Sequence, residues 1–247
     1  MMIKSEYKIL EHKRIGPRTM LMRVAGDTSC FSMPGQFVDI AVPGFTLRRP
    51  ISVCCYDADS FTMVYDIVGH GTEVLAGMPE GATLDMLAGL GRGFRTERAG
   101  SAPVLFGGGV GCPPIYGLAK TLKEMDITPT VILGFNSADR VIMRDMFEAL
   151  GVPFHIATLD GSLGTRGYVT DAMKAIGLNP TYFYACGPMP MLRALCQGVD
   201  APGEVSLEAR MGCGFGACMC CSVETRDGAK RICREGPVFG KEEMIWK

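Results

Sequence analysis

Four cysteines near the end of the sequence are spaced as C-x4-C-x2-C, with the fourth after a further eleven residues, and this spacing constrains the fold more than any other feature. They are Cys213, Cys218, Cys221 and Cys233. Plant-type [2Fe–2S] clusters are bound by four thiolates, three of them close in sequence and one distant. Glycines interleave with the first of these cysteines, and glycine permits the unusual dihedral angles of a tight loop. The sequence therefore predicts a [2Fe–2S] cluster held by these four thiolates.

Cysteine is unusually frequent in this chain, with 11 residues in 247. Disulfides do not persist in the cytoplasm, so a cluster of cysteines there indicates metal ligation or redox chemistry. A structural zinc site is the alternative interpretation, but zinc sites usually combine two closely spaced cysteine pairs, and the second pair is missing. Cys220 is a fifth thiol in the loop, and we expect it not to be a ligand.

Two short motifs in the first hundred residues indicate a flavin dinucleotide. The first is Arg49-Pro50-Ile51-Ser52, in which the arginine offers a charged fork to a pyrophosphate and the serine adds a hydroxyl. The second is Gly69-His70-Gly71-Thr72, where glycines allow close backbone approach, Thr72 is the expected helix N-cap and Glu73 should point away from the anion. Either motif alone fits a simple turn, whereas the two together predict an FAD site.

Two further motifs indicate a nicotinamide dinucleotide. Gly107-Gly108-Gly109-Val110-Gly111 follows an apolar strand and precedes a helix, although Pro114 replaces the last glycine of the usual fingerprint. Cys186-Gly187-Pro188-Met189 occupies the same kind of position, where Cys186 is either a catalytic thiol beside the nicotinamide or a small core residue. Asp139 favours a ribose contact and therefore NAD, whereas the adjacent Arg140 would suit a 2′-phosphate.

The pattern of strands and helices changes near residue 100. Before it, short strands are broken by Gly and Pro, as expected for a small antiparallel barrel; examples are Met20–Val24, Phe37–Ala41, Ile51–Tyr56 and Phe61–Ile67. After it, strands alternate with helices, as expected for a parallel sheet with crossover helices. The predicted strands are Val104–Phe106, Thr130–Gly134, Pro153–Leu159 and Thr181–Ala185, and the predicted helices are Pro114–Met125, Val141–Leu150 and Tyr168–Ile176.

We therefore expect a chain of class β plus α/β with three parts. Residues 1–100 should form an FAD-binding antiparallel β-barrel, residues 101–206 a Rossmann-like NAD-binding domain with a parallel sheet, and residues 207–247 a small [2Fe–2S] module. The formal net charge of -1 gives no reason to expect nucleic-acid binding. No apolar run approaches the ~18 residues of a membrane span, and the first residues soon turn polar, so we expect a cytoplasmic protein without membrane contact.

The motifs, in this order, resemble the ferredoxin–NADP reductase superfamily with a C-terminal cluster module, and most of all the electron-transfer subunits of type B, NAD-dependent dihydroorotate dehydrogenases. The segments Glu208–Gly214 and Cys233–Phe239 share this resemblance. It implies FAD, a [2Fe–2S] cluster and NAD(H) as cofactors, and an FMN-containing catalytic subunit as partner in a heterotetramer. It also implies that electrons from dihydroorotate pass through FMN, the cluster and FAD to NAD⁺ in pyrimidine biosynthesis.

Other families remain open on the sequence alone. The small subunit of a ferredoxin:NADP transhydrogenase or sulfide dehydrogenase is the nearest rival, but its first cluster ligand is Asp, where this chain has Cys213. The gamma subunit of a hydrogenase or another reductase is a further possibility. A zinc-stapled binding module without flavin is the non-enzymatic alternative, and the intact flavin motifs argue against it.

Overall fold

The computed structural model describes residues 2–246. Six antiparallel strands near the N-terminus close into a barrel in the order β1-β2-β5-β4-β3-β6. Their bounds are Ile3–Arg14 (β1), Thr19–Ala25 (β2), Phe37–Ile40 (β3), Arg49–Tyr56 (β4), Ser60–Asp66 (β5) and Thr83–Leu90 (β6). A short helix, α1 (His70–Ala76), lies between β5 and β6. The predicted antiparallel barrel is confirmed.

The barrel is filled by alternate side chains of its strands, since neighbouring residues of a strand face opposite sides of the sheet. Tyr7 of β1 packs edge-on against Phe61 of β5 at 5.2 Å between ring centroids, and Phe31 packs on the same Phe61 at 5.1 Å. Both Tyr7 and Phe61 are almost fully buried. The cluster lies near the end of β4 that is away from Arg49, since Phe61 pairs with Tyr56 there.

A seven-stranded sheet follows, in the order β10-β9-β8-β7-β11-β12-β15, where β15 is Val238–Gly240 near the C-terminus. All neighbouring strands are parallel except β12 and β15. The strands are Pro103–Gly108 (β7), Thr130–Phe135 (β8), Phe154–Thr158 (β9), Thr165–Arg166 (β10), Tyr182–Cys186 (β11) and Gly203–Ser206 (β12). The helices are Cys112–Glu124 (α2), Arg144–Leu150 (α3), Val169–Ala175 (α4) and Met189–Gly198 (α5). The predicted parallel sheet with crossover helices is confirmed.

Helix α3 begins later than the sequence predicts. A 3₁₀ turn occupies Ala138–Arg140, and Met143 adopts a left-handed conformation with φ of 60° immediately before the helix. A left-handed residue interrupts a right-handed helical path. The apolar residues Val141 and Ile142 therefore belong to a loop, although they continue the helical pattern of hydrophobicity.

The C-terminal segment carries the cysteine loop, a hairpin and one further strand. The hairpin consists of β13 (Ser222–Thr225) and β14 (Gly228–Arg231), and β15 (Val238–Gly240) pairs antiparallel with β12 at the edge of the large sheet. The C-terminal segment is thus joined to the α/β part through the sheet itself. The predicted domain boundary near residue 207 falls between β12 and β15, which pair with each other. Within residues 2–246, no helix is both long and apolar enough to span a membrane.

Barrel and sheet are held together by close backbone packing. Helix α2 crosses β4 at Gly117, where an added Cβ would lie 2.0 Å from the carbonyl oxygen of Cys54. Only glycine permits this approach, because any side chain at the position would overlap the β4 backbone. The contact holds α2 against the flavin-motif strand β4.

Candidate functional site

The four predicted cluster ligands approach one another in two pairs. Cys213 lies within hydrogen-bonding reach of the Cys218 thiol, and Cys221 lies in the same relation to Cys233. The backbone N–H of Cys233 also donates to the Cys221 sulfur at 3.4 Å. A cluster with two irons needs two thiolates on each iron, and this pairing suits such a cluster. Within residues 2–246, no group of three or more His, Cys, Asp or Glu side chains is arranged around a position for a single metal ion.

The loop is built to stabilise an anionic sulfur at Cys213. Burial raises the pKa of this thiol, but hydrogen bonds from the backbone N–H groups of Cys218, Phe215 and Ala217 outweigh burial and bring the pKa to about 6. The Ala217 N–H lies 3.2 Å from the Cys213 sulfur. Iron–sulfur clusters are bound by thiolates whose potential is tuned by such hydrogen bonds. The donor set and its amides therefore fit a [2Fe–2S] cluster.

Cys220 has a backbone partner for its thiol. Its sulfur donates to the carbonyl oxygen of Arg210 at 3.7 Å, and its side chain is exposed. Met219, just before it, has a left-handed φ of 61°, which turns the chain between Cys218 and Cys220. The local backbone thus separates this thiol from the ligands on either side of it.

The two predicted flavin motifs meet at Arg49 and Gly71. An added Cβ on Gly71 would lie 2.1 Å from the Arg49 Nε, so the guanidinium rests directly on the helix-α1 backbone. The guanidinium also lies over the Phe45 ring, 4.5 Å from its centroid. Backbone N–H groups at a helix start and a guanidinium fork are both suited to a pyrophosphate. The two groups are therefore suited to the diphosphate of FAD.

Thr72 caps helix α1 from within its first turn. The sequence predicted Thr72 as the N-cap, but the N-cap is Gly69. The Thr72 hydroxyl accepts hydrogen bonds from the backbone N–H groups of Val68 at 2.9 Å and Gly69 at 3.1 Å. His70 is exposed, and its Nδ1 lies 3.2 Å from the carboxylate of Glu73 on the helix surface. The remaining members of the first motif lie on β4 and pair with β3: Pro50 with Asp39, Ile51 with Val38, and Ser52 with Phe37.

Removal of the Arg49 side chain should release the flavin. Arg49→Ala removes a charge-assisted contact worth roughly 1.5–3 kcal/mol, which corresponds to about tenfold to hundredfold weaker retention. FAD should be lost on dilution during gel filtration while iron content stays unchanged. Arg23→Ala is the matched control, since Arg23 bonds only to Asp57 and Ser60 in a different part of the barrel. FAD retention equal to that of the control would refute the assignment.

The two predicted nicotinamide motifs pack backbone to backbone. An added Cβ on Gly111 would lie 2.2 Å from the Cys186 carbonyl oxygen, and one on Gly187 would lie 3.0 Å from the Gly108 Cα. These glycines follow β7 and β11, which are neighbours in the parallel sheet, so both loops lie at its carboxyl edge. Ligands of open α/β sheets bind at this edge.

A cavity of about 680 Å³ opens beside these loops and reaches the barrel. Of the predicted residues, it is lined by Gly108, Gly109, Val110 and Pro188. The residues that line this cavity do not include the other predicted members of the two motifs, Gly107, Gly111, Cys186, Gly187 and Met189. The lining residues that sequence reasoning missed include Asp66, Asn136, Tyr168 and Met191. The sequence contains a weak indication of Asn136, since it directly follows the second parallel strand. It contains no indication of Asp66, which belongs to the barrel.

Arg140 lines this cavity, whereas Asp139 is held outside it. The Asp139 carboxylate accepts the Ser137 hydroxyl and lies 3.4 Å from the Arg140 Nε. The ribose contact predicted for Asp139 therefore needs a side-chain rotation. Arg140 already lines the cavity without such a rotation, as does Arg18.

Cys186 is a buried thiol at the end of β11, with 4% of its surface exposed. Burial and the nearby Glu208 carboxylate raise its pKa to about 12, and a hydrogen bond with Ser206 offsets part of that rise. It is therefore a neutral thiol at physiological pH, suited to packing against a ring and not to nucleophilic attack. The sequence alone places Glu208 only in a C-terminal motif, whereas the structure brings its carboxylate near Cys186.

A barrel that presents an arginine to a helix start, beside a parallel sheet with two glycine loops, defines the class of flavin-dependent nicotinamide reductases. The fold agrees with that of a ferredoxin NADP⁺ reductase from Neisseria gonorrhoeae with bound FAD and NADP, with a TM-score of 0.68, 21% identity and coverage of 78% of this chain and 89% of that one. The NADH-dependent reduced ferredoxin-NADP oxidoreductase structure is more similar, with a TM-score of 0.88, 31% identity and coverage of 97% and 90%.

Residues 208–245 match the iron–sulfur cluster binding domain of dihydroorotate dehydrogenase B. Proteins named dihydroorotate dehydrogenase B (NAD(+)), electron transfer subunit, match over nearly the full length. That of Fusobacterium nucleatum is 39% identical and covers 93% of both chains, and that of Bacillus mycoides is 40% identical and covers 99% of this chain and all of its own. The chain belongs to this family of dihydroorotate dehydrogenase B electron transfer subunits.

Proposed function

We propose that this chain passes electrons from the FMN of a dihydroorotate-oxidising partner, through a [2Fe–2S] cluster and FAD, to NAD⁺. The observation that supports the proposal is the presence, in one fold, of two pairs of neighbouring thiols, an arginine against a helix start and a cavity beside two glycine loops. FAD, a [2Fe–2S] cluster and NAD(H) are the cofactors. Nicotinamide exchanges two electrons and the cluster one, and a flavin converts between them.

The residues divide into three binding roles. Arg49, Gly71 and Thr72, with their motif neighbours Pro50, Ile51, Ser52, Gly69 and His70, would hold the flavin. The glycine loop 107–111 and the segment 186–189 would hold the nicotinamide dinucleotide, with the neutral Cys186 thiol packed near its reactive ring. Cys213 with Cys218 would bind one iron and Cys221 with Cys233 the other.

The two proposed pairs of cluster ligands differ in exposure. Cys218 is exposed, whereas Cys221 and Cys233 are 3% and 2% exposed. The first pair thus lies towards the surface, where a partner can approach. We propose that the FMN-containing catalytic subunit docks there and that the assembly is a cytoplasmic heterotetramer with two copies of each chain, with no membrane or nucleic-acid partner.

The nearest rival function is that of a transhydrogenase small subunit, because the NADH-dependent reduced ferredoxin-NADP oxidoreductase structure is 31% identical to this chain. Identity near 40% to dihydroorotate dehydrogenase B subunits and a cysteine at position 213 favour the proposed function. Isolation of the native complex tests it directly. An FMN-containing partner and dihydroorotate-dependent NAD⁺ reduction are expected, whereas ferredoxin-dependent reduction without response to dihydroorotate would favour the rival.

Cys186→Ala should slow hydride transfer without loss of cofactors. Removal of the thiol beside the nicotinamide leaves the ring less well positioned, and we expect NADH-driven flavin reduction to fall at least about tenfold. Stopped-flow absorbance measures this rate, with FAD and iron content as checks. Cys196→Ala is the matched control, because Cys196 is a buried thiol of α5 that interacts with Trp246 instead of the glycine loops. If both variants keep the wild-type rate and NADH affinity, Cys186 is only a core residue.

A further inference from the structure

Asp39 is a buried carboxyl at the junction of the barrel and the cysteine loop. It lies on β3 and is 2% exposed. Across the sheet it pairs with Pro50 of β4, which follows the flavin-motif Arg49. Its side chain therefore lies next to the flavin-motif strand, in a part of the barrel that none of the roles proposed above uses.

The cysteine loop covers this carboxyl. An added Cβ on Gly214 would lie 2.3 Å from the Asp39 Oδ2, so the loop backbone rests on the carboxylate directly after Cys213. Gly214 has a left-handed φ of 74°, which favours glycine at this position. A residue of the barrel and the cluster-binding loop are thus in direct contact.

The Asp39 carboxylate is poorly compensated. Within residues 2–246, its Oδ1 is one of two buried side-chain polar atoms without a hydrogen-bond partner. Arg48 pairs with Asp85 at 2.7 Å and donates to the backbone carbonyl of Asp39, and Arg49 bonds to the backbone carbonyls of Leu47 and Arg48. The two arginines favour the ionised Asp39 carboxylate by their charge, but no hydrogen bond from either to its side chain is described. An unpaired buried carboxyl is costly to the fold. Such a group indicates a role other than stability.

We propose that Asp39 is a positioning residue for electron transfer, whose negative charge against the 213–221 loop lowers the reduction potential of the [2Fe–2S] cluster. The proposal rests on the cluster assignment above. One-electron reduction adds a negative charge to a centre that already carries four thiolates. A fixed negative charge nearby disfavours that addition, so the cluster becomes a stronger reductant towards the flavin.

The test is a redox titration of the complex purified with its catalytic partner. Dithionite supplies the electrons, and the EPR signal of the reduced cluster is recorded for wild type and Asp39→Asn. The titration is run at about pH 9, because burial raises the pKa of Asp39 to about 7 and the wild-type carboxyl must be ionised. We expect Asp39→Asn to shift the midpoint potential upward with unchanged iron content.

Asp59→Asn is the matched control, since it removes the same charge from the exposed turn at the opposite end of β4. Its midpoint should equal that of wild type. An Asp39→Asn midpoint equal to that of this control, with the cluster intact, overturns the proposal. If Asp39→Asn does not retain iron, Asp39→Ser is titrated instead, and loss of iron from both means that Asp39 only holds the loop. A wild-type protein without iron would instead refute the cluster assignment itself.

Discussion

Replacement of Arg95 by alanine should destabilise the protein by about 3 kcal/mol, because it leaves a buried carboxylate without its cation. Arg95 follows the barrel and precedes β7, and its guanidinium and backbone N–H both bond to the carboxylate of Glu204 on β12. The Glu204 side chain is fully buried, whereas that of Arg95 is 32% exposed. The partial exposure of Arg95 places the cost at the lower end of the range for buried pairs.

In both Arg95 and Glu204, the effect of burial on the pKa is opposed by the charge of the partner. Burial raises the pKa of Glu204, and the hydrogen bonds and charge of Arg95 only reduce that rise. Burial would lower the pKa of Arg95, but the hydrogen bond and charge of Glu204 raise it overall. The carboxylate therefore depends on the arginine to remain ionised in the folded state.

The loss of stability should grow with pH. In Arg95→Ala the folded state holds the Glu204 proton more tightly than the unfolded chain does, because burial raises the pKa and no cation opposes it. Stability then decreases as pH rises above the ordinary carboxyl pKa. We expect the difference from wild type to be smallest near about pH 5 and largest near about pH 8, as measured by the urea midpoint.

Two further variants make this result specific. Arg95→Ala combined with Glu204→Gln should recover part of the lost stability, since the amide carries no charge. Arg144→Ala removes an exposed i,i+4 partner of Glu148 on α3 and should cost only about 0.3–0.5 kcal/mol. A loss in Arg95→Ala as small as that in Arg144→Ala, and independent of pH, would contradict the expected role.

The barrel and the parallel sheet were predictable because their hydrophobic patterns are local. Strand β1 was not predicted, since only Tyr7 and Ile9 of its twelve residues are buried and most others are polar or charged. Barrel closure supplies partners for β1 on both sides, with β2 and β6, and this overrides its weak pattern. The predicted start of α3 was wrong because Met143 adopts a left-handed conformation, and no glycine marks this turn in the sequence.

The motifs of the site were predictable, but their connections were not. Spacing alone predicted the four cysteines and the glycine loops, since each motif acts within a few residues of chain. Contacts between Arg49 and Gly71, or between Asp39 and Gly214, join segments far apart in sequence. No periodicity encodes such contacts, and the same holds for Asp66, which lines the cavity beside the glycine loops from the barrel.

Cys221→Ser should remove almost all of the cluster, whereas Cys220→Ser should leave it intact. The Cys221 thiol is buried and paired with Cys233, so its loss deprives one iron of a ligand and leaves the other three thiolates unable to complete the site. The Cys220 thiol donates to the Arg210 carbonyl, and the proposed ligand set leaves it without an iron. Iron content and the reduced-state EPR signal measure the difference between two adjacent cysteines.

Activity separates the two halves of the electron path in the same variants. Without the cluster, electrons from the partner cannot reach FAD, so dihydroorotate-dependent reduction of NAD⁺ should disappear in Cys221→Ser. Reduction of a small dye by NADH needs only the flavin and the nicotinamide cavity and should persist, because Arg49, Gly71 and the glycine loops are untouched. Cys220→Ser should behave as wild type in both assays. The reverse pattern, with Cys220 essential and Cys221 dispensable, would show that the ligand register assigned here is wrong.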